Sequence, residues 1–317
     1  MTDAAYTVRE ADESDFPGIT ELFRRQNYGH QEVEWLRWKY LRNPDGKAAM
    51  YVAEDSSHKI VGLNVTLPRR FTSAHAGTFI VRQPVDSFVA ADMRNKGVYS
   101  KLMQLSRMKV TQGRIGFPNE QSIRFDSQTG TKIIAPIEEW FIPLSAGQLI
   151  AKKPHGLLAL LADAFSVAYV SLWLGRHPNC LVMKPIGRFD RGFEVDPSLI
   201  HGIRSADYLN WRFIDNPMTK HSAYEFFYND KSVGYSVHSV EGTAAVLYDF
   251  VTTHHRRGCL RLLVDKLRQD SVKFLRFPSV GLRLWTLGFI RGRSVNFFTG
   301  RGVPEGSWYV TYSDRDV

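Results

Sequence analysis

An internal repeat constrains the fold of this chain more than any other feature of its sequence. The string WLRWKYLRNP at residues 35–44 reappears as YLNWRFIDNP at residues 208–217, with aromatic, Leu, Trp, basic, aromatic and Asn-Pro positions in the same order. One match of this length can arise by chance, so the prediction of a duplicated unit depends on whether other parts of the two segments match as well.

Further landmarks follow in the same order in both halves. They are IVGLNV and SVGYSV around Gly62 and Gly234, DSFVAADMRNKG and YDFVTTHHRRG ending at Gly97 and Gly258, GFPN and RFPS, and the glycines Gly130 and Gly288. The separation between matching landmarks falls steadily along the chain, as expected if the second copy has shorter loops. We therefore predict two diverged copies of one domain at residues 1–145 and 195–317, joined by a connector at residues 146–194.

Composition permits this arrangement and limits the class of protein. The 317 residues suffice for two ordinary domains, and 44% hydrophobic and 23% charged residues are normal for a globular protein. A formal net charge of +9 favours anionic partners, although scattered basic residues can also serve solubility alone. Cys180 and Cys259 form no CxxC or His/Cys cluster, so we expect a reducing cytosol, no zinc site and no disulfide framework. The acidic N-terminus does not have the pattern of a secretory signal.

The connector contains a nearly apolar stretch, LLALLADAFSVAYVSLWL, at residues 157–174. Its length approaches that of a membrane span, but a carboxylate at membrane depth, here Asp163, is costly. At helical spacing, Asp163, Ser166 and Val170 share one face. We expect a helix buried on most sides with a narrow polar stripe, and contact with a membrane surface and a membrane span are the alternatives.

Short apolar and alternating runs between turn signals predict the elements of the first copy. Strands are expected at TVRE, 49–53, 60–65, 78–81, 85–90 and 115–117, and helices at 35–41, 99–110 and 119–129. This order predicts an α/β fold in which a mixed sheet is flanked by helices on both faces.

The segment from Val89 to Ser100 is the most informative for function. A strand ends, a basic loop turns, and a helix starts. Backbone N–H groups at a helix N-terminus have no partners within the helix, and with the helix dipole they form a site for an anion such as a pyrophosphate. Gly97 permits close approach of the backbone, while Arg94 and Lys96 add positive charge. On its own, an RxxG pattern is also common in surface loops without such a role.

In its setting, the segment resembles the acyl-CoA signature V-x-P-x-x-[RQ]-G/x-x-G-x-[GA] of the GNAT superfamily of N-acetyltransferases. Val89, Arg94 and Gly97 match in register, whereas Ala91 replaces the usual proline and Tyr99 replaces the last small residue. A bulky Tyr99 narrows the space for a pyrophosphate, although the backbone amides remain available.

The resemblance extends over nearly all of residues 5–142. TVREADESDFPGITELF is similar to the family's opening strand and helix, and residues 119–130 resemble N-x-x-A-x-x-L-Y-x-K-x-G in register. The WKYxxNP and GFPN strings are similar to a GNAT branch found with bacterial surface-polysaccharide genes. The resemblance therefore implies two tandem GNAT-like acyltransferase domains, with acetyl-CoA or another acyl-CoA as co-substrate.

Residue roles are implied by the resemblance, position by position. It implies that acyl-CoA contacts Phe88, Val89, Arg94, Asn95, Lys96, Gly97, Val98, Tyr99, Ser100 and Asn119. In that family an acceptor amine attacks the thioester, a carboxylate takes its proton, and a tyrosine protonates the departing sulfur. Asp86 lies where such a carboxylate often sits, with a strand-edge salt bridge as its alternative role. The tyrosine position holds Asp126, so either the thiolate departs unaided or Asp126 or Tyr99 substitutes.

The second copy is more degraded at this loop. Its equivalent at residues 252–260 keeps Gly258 and has no Arg three residues before that glycine. His254 and His255 are adjacent, so their side chains point in different directions and a metal site is not favoured. Asp249, on the preceding strand, is expected to support the fold or line an acceptor cleft, with acid/base chemistry as the alternative.

Several functions stay open at this point. The leading one is an enzyme that transfers an acyl group, expected to be acetyl, from coenzyme A to an amine such as an amino sugar of a surface-polysaccharide precursor. A tandem-GNAT transferase that uses aminoacyl-tRNA is the second, and a non-catalytic acyl-CoA-binding module is the third. We expect a cytoplasmic protein, with contact to the inner membrane face through residues 157–174 as a variant and nucleic acid as a less favoured partner.

Overall fold

The computed structural model describes residues 6–29, 32–110, 112–120, 123, 130–145, 147, 156–294 and 296–316. The strands of the first half are β1 (Tyr6–Glu10), β2 (Ala49–Asp55), β3 (Ile60–Ser73), β4 (Gly77–Val89), β5 (Gly113–Gly116) and β6 (Lys132–Pro143). Those of the second half are β7 (Leu181–Pro185), β8 (Ile200–Gly202), β9 (Ser222–Tyr228), β10 (Lys231–Glu241), β11 (Ala244–Thr252), β12 (Phe274–Val280), β13 (Ile290–Arg291), β14 (Asn296–Arg301) and β15 (Trp308–Thr311).

Helices and short helical turns connect these strands. The α-helices are α1 (Phe16–Arg25), α2 (Val33–Leu36), α3 (Val98–Lys109), α4 (Leu157–Leu174), α5 (Ala206–Leu209) and α6 (Arg256–Gln269). Two π-helical turns, Arg37–Leu41 and Asn210–Ile214, continue α2 and α5. Short 3-10 turns lie at Glu13–Asp15, Ala91–Met93 and Leu284–Leu287. The repeated WLRWKYLRNP and YLNWRFIDNP strings thus adopt the same α-then-π conformation in both halves.

The two halves also repeat one arrangement of strands. In the first half, each of the strands β1 to β4 pairs antiparallel with the next one along the chain, and β4 pairs parallel with β5. In the second half, β7, β9, β10 and β11 pair antiparallel in the same way, and β11 pairs parallel with β12. Because parallel strands need a crossover, a helix connects each parallel pair, α3 in the first half and α6 in the second.

Each parallel pair is hydrogen-bonded at one end only. β4 pairs with β5 at Val81–Gly113 and Arg82–Arg114, well before it ends at Val89. β11 pairs with β12 only from Ala244 to Val246. The strands therefore diverge toward the ends that lead into α3 and α6, and a gap opens in the sheet at the carboxyl end of β4 and of β11. In open α/β sheets, ligands bind outside such carboxyl ends.

The halves exchange a strand. β6, from the first half, pairs antiparallel with β12 from Pro143–Phe274 to Glu138–Ser279. β14, from the second half, pairs antiparallel with β5 at Thr299–Gly116 and the two pairs that follow. An apolar core of its own lies at this junction and comprises Phe71, Val81, Ile115, Ile137, Ile200, Val280, Phe298, Trp308 and Val310. Each half thus completes the sheet of the other.

Trp38 and Trp211, which occupy the same position in the two repeated strings, meet at the centre of the molecule. The Trp38 indole N–H donates to the Trp211 carbonyl at 2.8 Å, and the Trp211 indole N–H donates to the Trp38 carbonyl at 2.9 Å. Their rings stack with centroids 5.2 Å apart. A reciprocal contact between equivalent residues is what a two-fold relation between two copies produces.

These observations confirm an α/β fold with a mixed sheet and flanking helices. Where one domain ends and the next begins, at residues 145 and 195, stays a prediction of the sequence. Since β6 pairs with a strand of the second half and β14 pairs with a strand of the first half, neither half forms a complete sheet by itself.

Helix α4 forms as predicted, but the prediction that it is buried on most sides is wrong. Only 22% of it is buried, and the residues of its polar stripe are among those that contact the protein. Ser166 and Val170 are buried. The Asp163 carboxylate accepts from the Ser145 hydroxyl at 2.6 Å and from the Gly147 N–H at 2.8 Å. These hydrogen bonds join the polar face of the helix to the segment after β6, while the large apolar side chains of α4 point away from the protein.

His238, in β10, makes stability depend on pH. Its side chain is 3% exposed and stacks on Tyr224 at a centroid distance of 5.9 Å. Burial lowers the pKa of His238 to about 4 from an ordinary 6.5. Below pH 6.5 the unfolded chain binds a proton that the folded chain excludes down to about pH 4, so stability falls as pH falls through this window. From this residue we expect unfolding at pH 5 to cost about 2 kcal/mol less than at pH 7.

Urea unfolding at pH 7 and pH 5 measures this contribution. His238→Gln should lose most of it, whereas His254→Gln, at an exposed side chain just before α6, should keep the full pH difference. Burial also lowers the pKa of His221 to about 4, so part of the wild-type difference survives in His238→Gln. An unchanged pH difference in His238→Gln would show that this histidine does not contribute.

Candidate functional site

The loop between β4 and α3 has the geometry of an anion site. After the turn at Ala91–Met93, Asn95 and Gly97 take positive φ values of 61° and 78°. Gly97 is the N-cap of α3, so the first-turn amides of residues 98–100 have no carbonyl within the helix to bond. The left-handed backbone at Gly97 strains any residue with a Cβ, and such an atom would lie 3.5 Å from the Tyr6 hydroxyl.

Positive charge surrounds this helix N-terminus. Arg94 and Lys96 are exposed, and neither forms an ion pair with a carboxylate of a described residue. Lys101, one turn into α3, lies over the Tyr6 ring at 4.8 Å, and the Tyr6 hydroxyl donates to the Lys96 carbonyl at 3.1 Å. Tyr6 therefore holds the loop in place. The charges of Arg94, Lys96 and Lys101 remain available to an anionic ligand.

The first turn of α3 packs closely against β3 on one side and is exposed to solvent on the other. Tyr99 and Ser100 are exposed, but Val98 is buried against the sheet. A Cβ at Gly62 would lie 3.0 Å from Val98 Cγ1 and 3.0 Å from Leu102 Cδ1, which shows how closely α3 approaches β3. The glycine of IVGLNV is thus explained by helix packing.

Phe88 and Val89, at the end of β4, are placed differently from each other. The Phe88 ring lies 5.3 Å from Phe23 of α1 and 4.5 Å from Tyr28, so its side chain belongs to the α1 side of the sheet. Val89 is buried, and its carbonyl accepts from Arg94 Nε at 3.5 Å. Contact of these two residues with acyl-CoA stays a prediction.

Asp86 lies buried in β4 within a polar cluster. Lys39 Nζ is 2.6 Å from one carboxylate oxygen, which also accepts from the Tyr40 hydroxyl at 2.7 Å. The other oxygen accepts from the Tyr28 hydroxyl at 3.1 Å. Burial opposes the charge on Lys39, yet Asp316, 2.9 Å away, and Asp86 together raise the pKa of this lysine. Both oxygens of Asp86 are thus engaged, and its role as general base stays a prediction.

Tyr28 was missed by sequence reasoning. It is 39% exposed, so it connects the Asp86 cluster to solvent. Burial, and then the neighbouring carboxylate, raise the pKa of Tyr28, so its hydroxyl keeps its proton and donates. A tyrosine in the loop after α1 has no local pattern that marks it as functional, and only the fold brings it to Asp86.

Two further predicted residues are less informative. Asn119 follows β5, is exposed, and forms an isolated bridge with Asn296 of the second half. Its carbonyl accepts from the Ile123 N–H at 3.0 Å, as at the start of a helical turn. Asp126 lies outside the described residues, so its predicted catalytic role is not addressed by the geometry.

In the second half, a cavity of about 450 Å³ opens where β11 and β12 diverge. It is lined by the end of β11, Leu282, Tyr309, Arg256 and the loop at residues 194–199. A second cavity of about 490 Å³ lies at the N-terminus of α6 and also includes Arg256. Sequence reasoning missed both, because the second copy lacks the arginine and the loop length on which the first was recognised.

Arg256 joins these two cavities. Its guanidinium makes no hydrogen bond or ion pair with a described residue, and burial lowers its pKa. His255, the N-cap of α6, has a φ of 53° and so adopts the left-handed conformation of Gly97. Gly258 has another purpose, since a Cβ there would lie 2.7 Å from Leu181 Cδ2. The second half therefore also has a helix N-terminus that could bind an anion, with His255 and Arg256 where the first half has Gly97 and its loop cations.

Asp249, the counterpart of Asp86, is fully buried. It accepts from Arg204 Nε at 3.0 Å, from the Tyr235 hydroxyl at 2.6 Å and from the Tyr309 hydroxyl at 3.2 Å. This arrangement agrees with the expected role in supporting the fold.

The fold resembles solved acyltransferase structures. A probable N-acyltransferase from Enterococcus faecalis matches with a TM-score of 0.63 at 12% identity, over 93% of this chain and 72% of that one. A GCN5-related N-acetyltransferase from Anabaena variabilis matches with a TM-score of 0.62 at 13% identity, with the same coverage of 93% and 72%. N-myristoyltransferase from Saccharomyces cerevisiae, solved with myristoyl-CoA, matches with a TM-score of 0.56 at 12% identity, over 97% and 81%.

At these identities the matches establish the fold, and the expected GNAT-like acyltransferase fold is confirmed. No protein-family model and no curated protein matches the sequence.

Proposed function

We propose that this protein transfers an acyl group from an acyl-CoA to an amine. The observation that carries the proposal is the loop between β4 and α3, where Asn95 and Gly97 turn left-handed before an exposed helix N-terminus. Arg94, Lys96 and Lys101 supply the charge that a pyrophosphate needs. The fold supports the proposal, because the solved structures that it resembles are named as acyl- or acetyltransferases.

The open edge of β4 gives the rest of the coenzyme a place to bind. Beyond Arg82, β4 is no longer paired with β5, so its backbone groups on that edge can bond the amides of a pantetheine arm. The thioester then lies at the gap between the diverging strands. Acetyl-CoA and longer acyl-CoAs share these contacts, so the loop alone does not select acyl length.

The reaction consists of one acyl transfer. The amine nitrogen attacks the thioester carbonyl carbon, the C–N bond forms, the C–S bond breaks, and coenzyme A leaves as a thiolate. The nitrogen gives up one proton to a base and the sulfur takes up one, so the products are an amide and free coenzyme A. Backbone N–H groups at the gap stabilise the oxyanion. We propose that the half-exposed Tyr28 hydroxyl orients the acceptor amine, with Asp86 behind it as the carboxylate that the resemblance implies for the general base.

As acceptor class we propose an amino sugar of a surface-polysaccharide precursor, which the resemblance of the WKYxxNP and GFPN strings favours. We place the reaction in the cytosol, where acyl-CoA is available. An aminoacyl-tRNA donor is less favoured, because the Arg94–Gly97 loop combines two cations with a helix N-terminus, which suits a pyrophosphate. A non-catalytic acyl-CoA-binding module is the remaining alternative.

Thermal-shift titration with coenzyme A, acetyl-CoA and longer acyl-CoAs tests the site. We expect a ligand-dependent rise in the wild-type melting temperature. Gly97→Glu should weaken binding roughly tenfold or more, because it adds a carboxylate at the anion site. Gly77→Glu is the matched control, since Gly77 also has a positive φ, of 63°, and a Cβ there would meet no atom within 4 Å beyond its chain neighbours.

Arg256→Glu tests whether the coenzyme binds in the first half or in the second. A shift that Gly97→Glu removes and Arg256→Glu preserves locates the coenzyme in the first half, and the reverse pattern locates it in the second. Thiol release with an amino-sugar acceptor then distinguishes a transferase from a binding module. The absence of a shift with every thioester would overturn the proposal.

A further inference from the structure

Helix α4 carries its apolar side chains outward. It is long and apolar enough to cross a membrane, with a mean hydropathy of 1.9, yet most of it is unburied. Its exposed large side chains are Leu157, Leu158, Leu160, Leu161, Phe165, Val167 and Leu172, with exposed fractions from 49% at Val167 to 81% at Leu172. A continuous apolar surface of this kind marks contact with another apolar surface.

Hydrogen bonds from the opposite, polar face hold α4 along the surface of the protein. Besides the contacts of Asp163, Arg268 of α6 donates to the Ser166 carbonyl at 3.0 Å. The Tyr169 hydroxyl donates to the Gly288 carbonyl at 2.9 Å. The helix therefore lies along the surface of the second half, in the manner of a helix that rests in a membrane interface rather than one that crosses it.

The apolar surface continues beyond α4. Trp285 is exposed in the turn Leu284–Leu287, which contacts α4. Ile290, just after this turn, is exposed as well. Phe165, Tyr169 and Trp173 add aromatic rings along the helix itself. Tryptophan and tyrosine are enriched where proteins meet the headgroup region of a bilayer.

Arginines lie next to this surface. Arg176 follows the end of α4, and Arg257 donates to the Thr286 carbonyl at 3.2 Å, next to Trp285. Both line the 490 Å³ cavity together with Arg256 and with the apolar Leu174 and Leu287. None of these three arginines forms an ion pair with a carboxylate in the described part of the chain. Their charge is complementary to anionic headgroups.

We propose that α4, Trp285 and the exposed arginines Arg176 and Arg257 form a docking face for an anionic lipid membrane. The apolar side of α4 enters the boundary between headgroups and acyl chains, and the arginines contact headgroup phosphates. A second copy suits this face less well, because a two-fold dimer would bring the arginines of both copies to one interface. The inference does not depend on the proposed acyl transfer.

Vesicle flotation tests the proposal. The full chain should float with phosphatidylcholine vesicles that contain phosphatidylglycerol, and much less with phosphatidylcholine alone. Leu161→Glu/Phe165→Glu, on one exposed side of α4, should reduce partitioning roughly tenfold or more. Met108→Glu/Ile133→Glu, at exposed apolar side chains elsewhere, is the matched control and should float like wild type.

The charge contribution has its own pair of variants. Arg176→Glu/Arg257→Glu should lower binding to anionic vesicles and leave the weak binding to neutral vesicles unchanged. Lys220→Glu/Lys231→Glu, at exposed positions away from α4, changes the net charge equally and should have a much smaller effect. The same vesicles at high salt should release much of the wild-type protein.

Three outcomes would overturn the proposal. The first is wild-type protein that floats with neither type of vesicle. The second is equal flotation of the α4 variant and its control. The third is a dimer in the absence of lipid, seen by light scattering, that Leu161→Glu/Phe165→Glu dissociates, which would assign the face to a second copy. Acyl-CoA thermal shifts of Leu161→Glu/Phe165→Glu should equal those of wild type, so the membrane test and the acyl-transfer test can fail independently.

Discussion

Replacing Arg204 with methionine is expected to lower the free energy of unfolding by about 3–5 kcal/mol. The Arg204 side chain has 0% exposure and lies between two carboxylates with 0% exposure. Its Nε is 3.0 Å from Asp249 and its Nη2 is 2.7 Å from Asp314. Methionine fills much of the volume but leaves Asp249 with no cation among the described residues. A buried carboxylate without its partner is strongly unfavourable.

The same substitution should change the response to acid. Burial raises the pKa of Asp314, but Arg204 and Arg69 together lower it by more, so the net shift of the pKa is downward. A carboxyl group with a lowered folded-state pKa stabilises the protein above its ordinary pKa, and this contribution is lost as pH falls through the lowered value. Arg204→Met removes much of that contribution, so the stability difference from wild type should be largest near neutral pH and should shrink in acid.

Urea unfolding of Arg204→Met beside Arg188→Met measures the effect. Arg188 forms an exposed ion pair with Asp215 at 2.8 Å, and its side chain is 63% exposed. Exposed pairs contribute about 1 kcal/mol or less, so this control should unfold close to wild type. Equal losses in the two variants would show that the buried cluster is not important for stability.

Local signals in the sequence predicted the parts of the fold that depend on local structure. The strand, loop and helix around Gly97 follow from a glycine that must adopt positive φ and from apolar spacing in α3. The repeated strings predicted equivalent positions, and the reciprocal contact of Trp38 and Trp211 agrees with that interpretation.

Long-range features could not be predicted in this way. The exchange of β6 and β14 depends on how the two halves pack, which no local pattern specifies. Tyr28 reaches Asp86 only through the fold. The burial of α4 was mispredicted because an apolar helix is expected to be buried on most sides, whereas in this fold only its polar face packs on the protein.

Trp38→Ala is expected to destabilise the protein by about 3–5 kcal/mol, because it leaves a large cavity at the centre. It also removes the ring stack with Trp211 and the donor to the Trp211 carbonyl. By the symmetry of the contact, Trp211→Ala should have a similar effect. Trp285→Ala, at an exposed tryptophan, should stay within about 0.5 kcal/mol of wild type and serves as the control.

A double-mutant cycle decides whether the two tryptophans act as one unit. If they do, Trp38→Ala/Trp211→Ala should lose clearly less than the sum of the single losses, with a coupling of about 1–3 kcal/mol by urea unfolding. The reason is that the first substitution already removes the stack and one of the two reciprocal hydrogen bonds, and leaves the second ring without its partner. Additive losses would mean that each tryptophan stabilises only its own half, and the two-fold contact would then contribute little to holding the halves together.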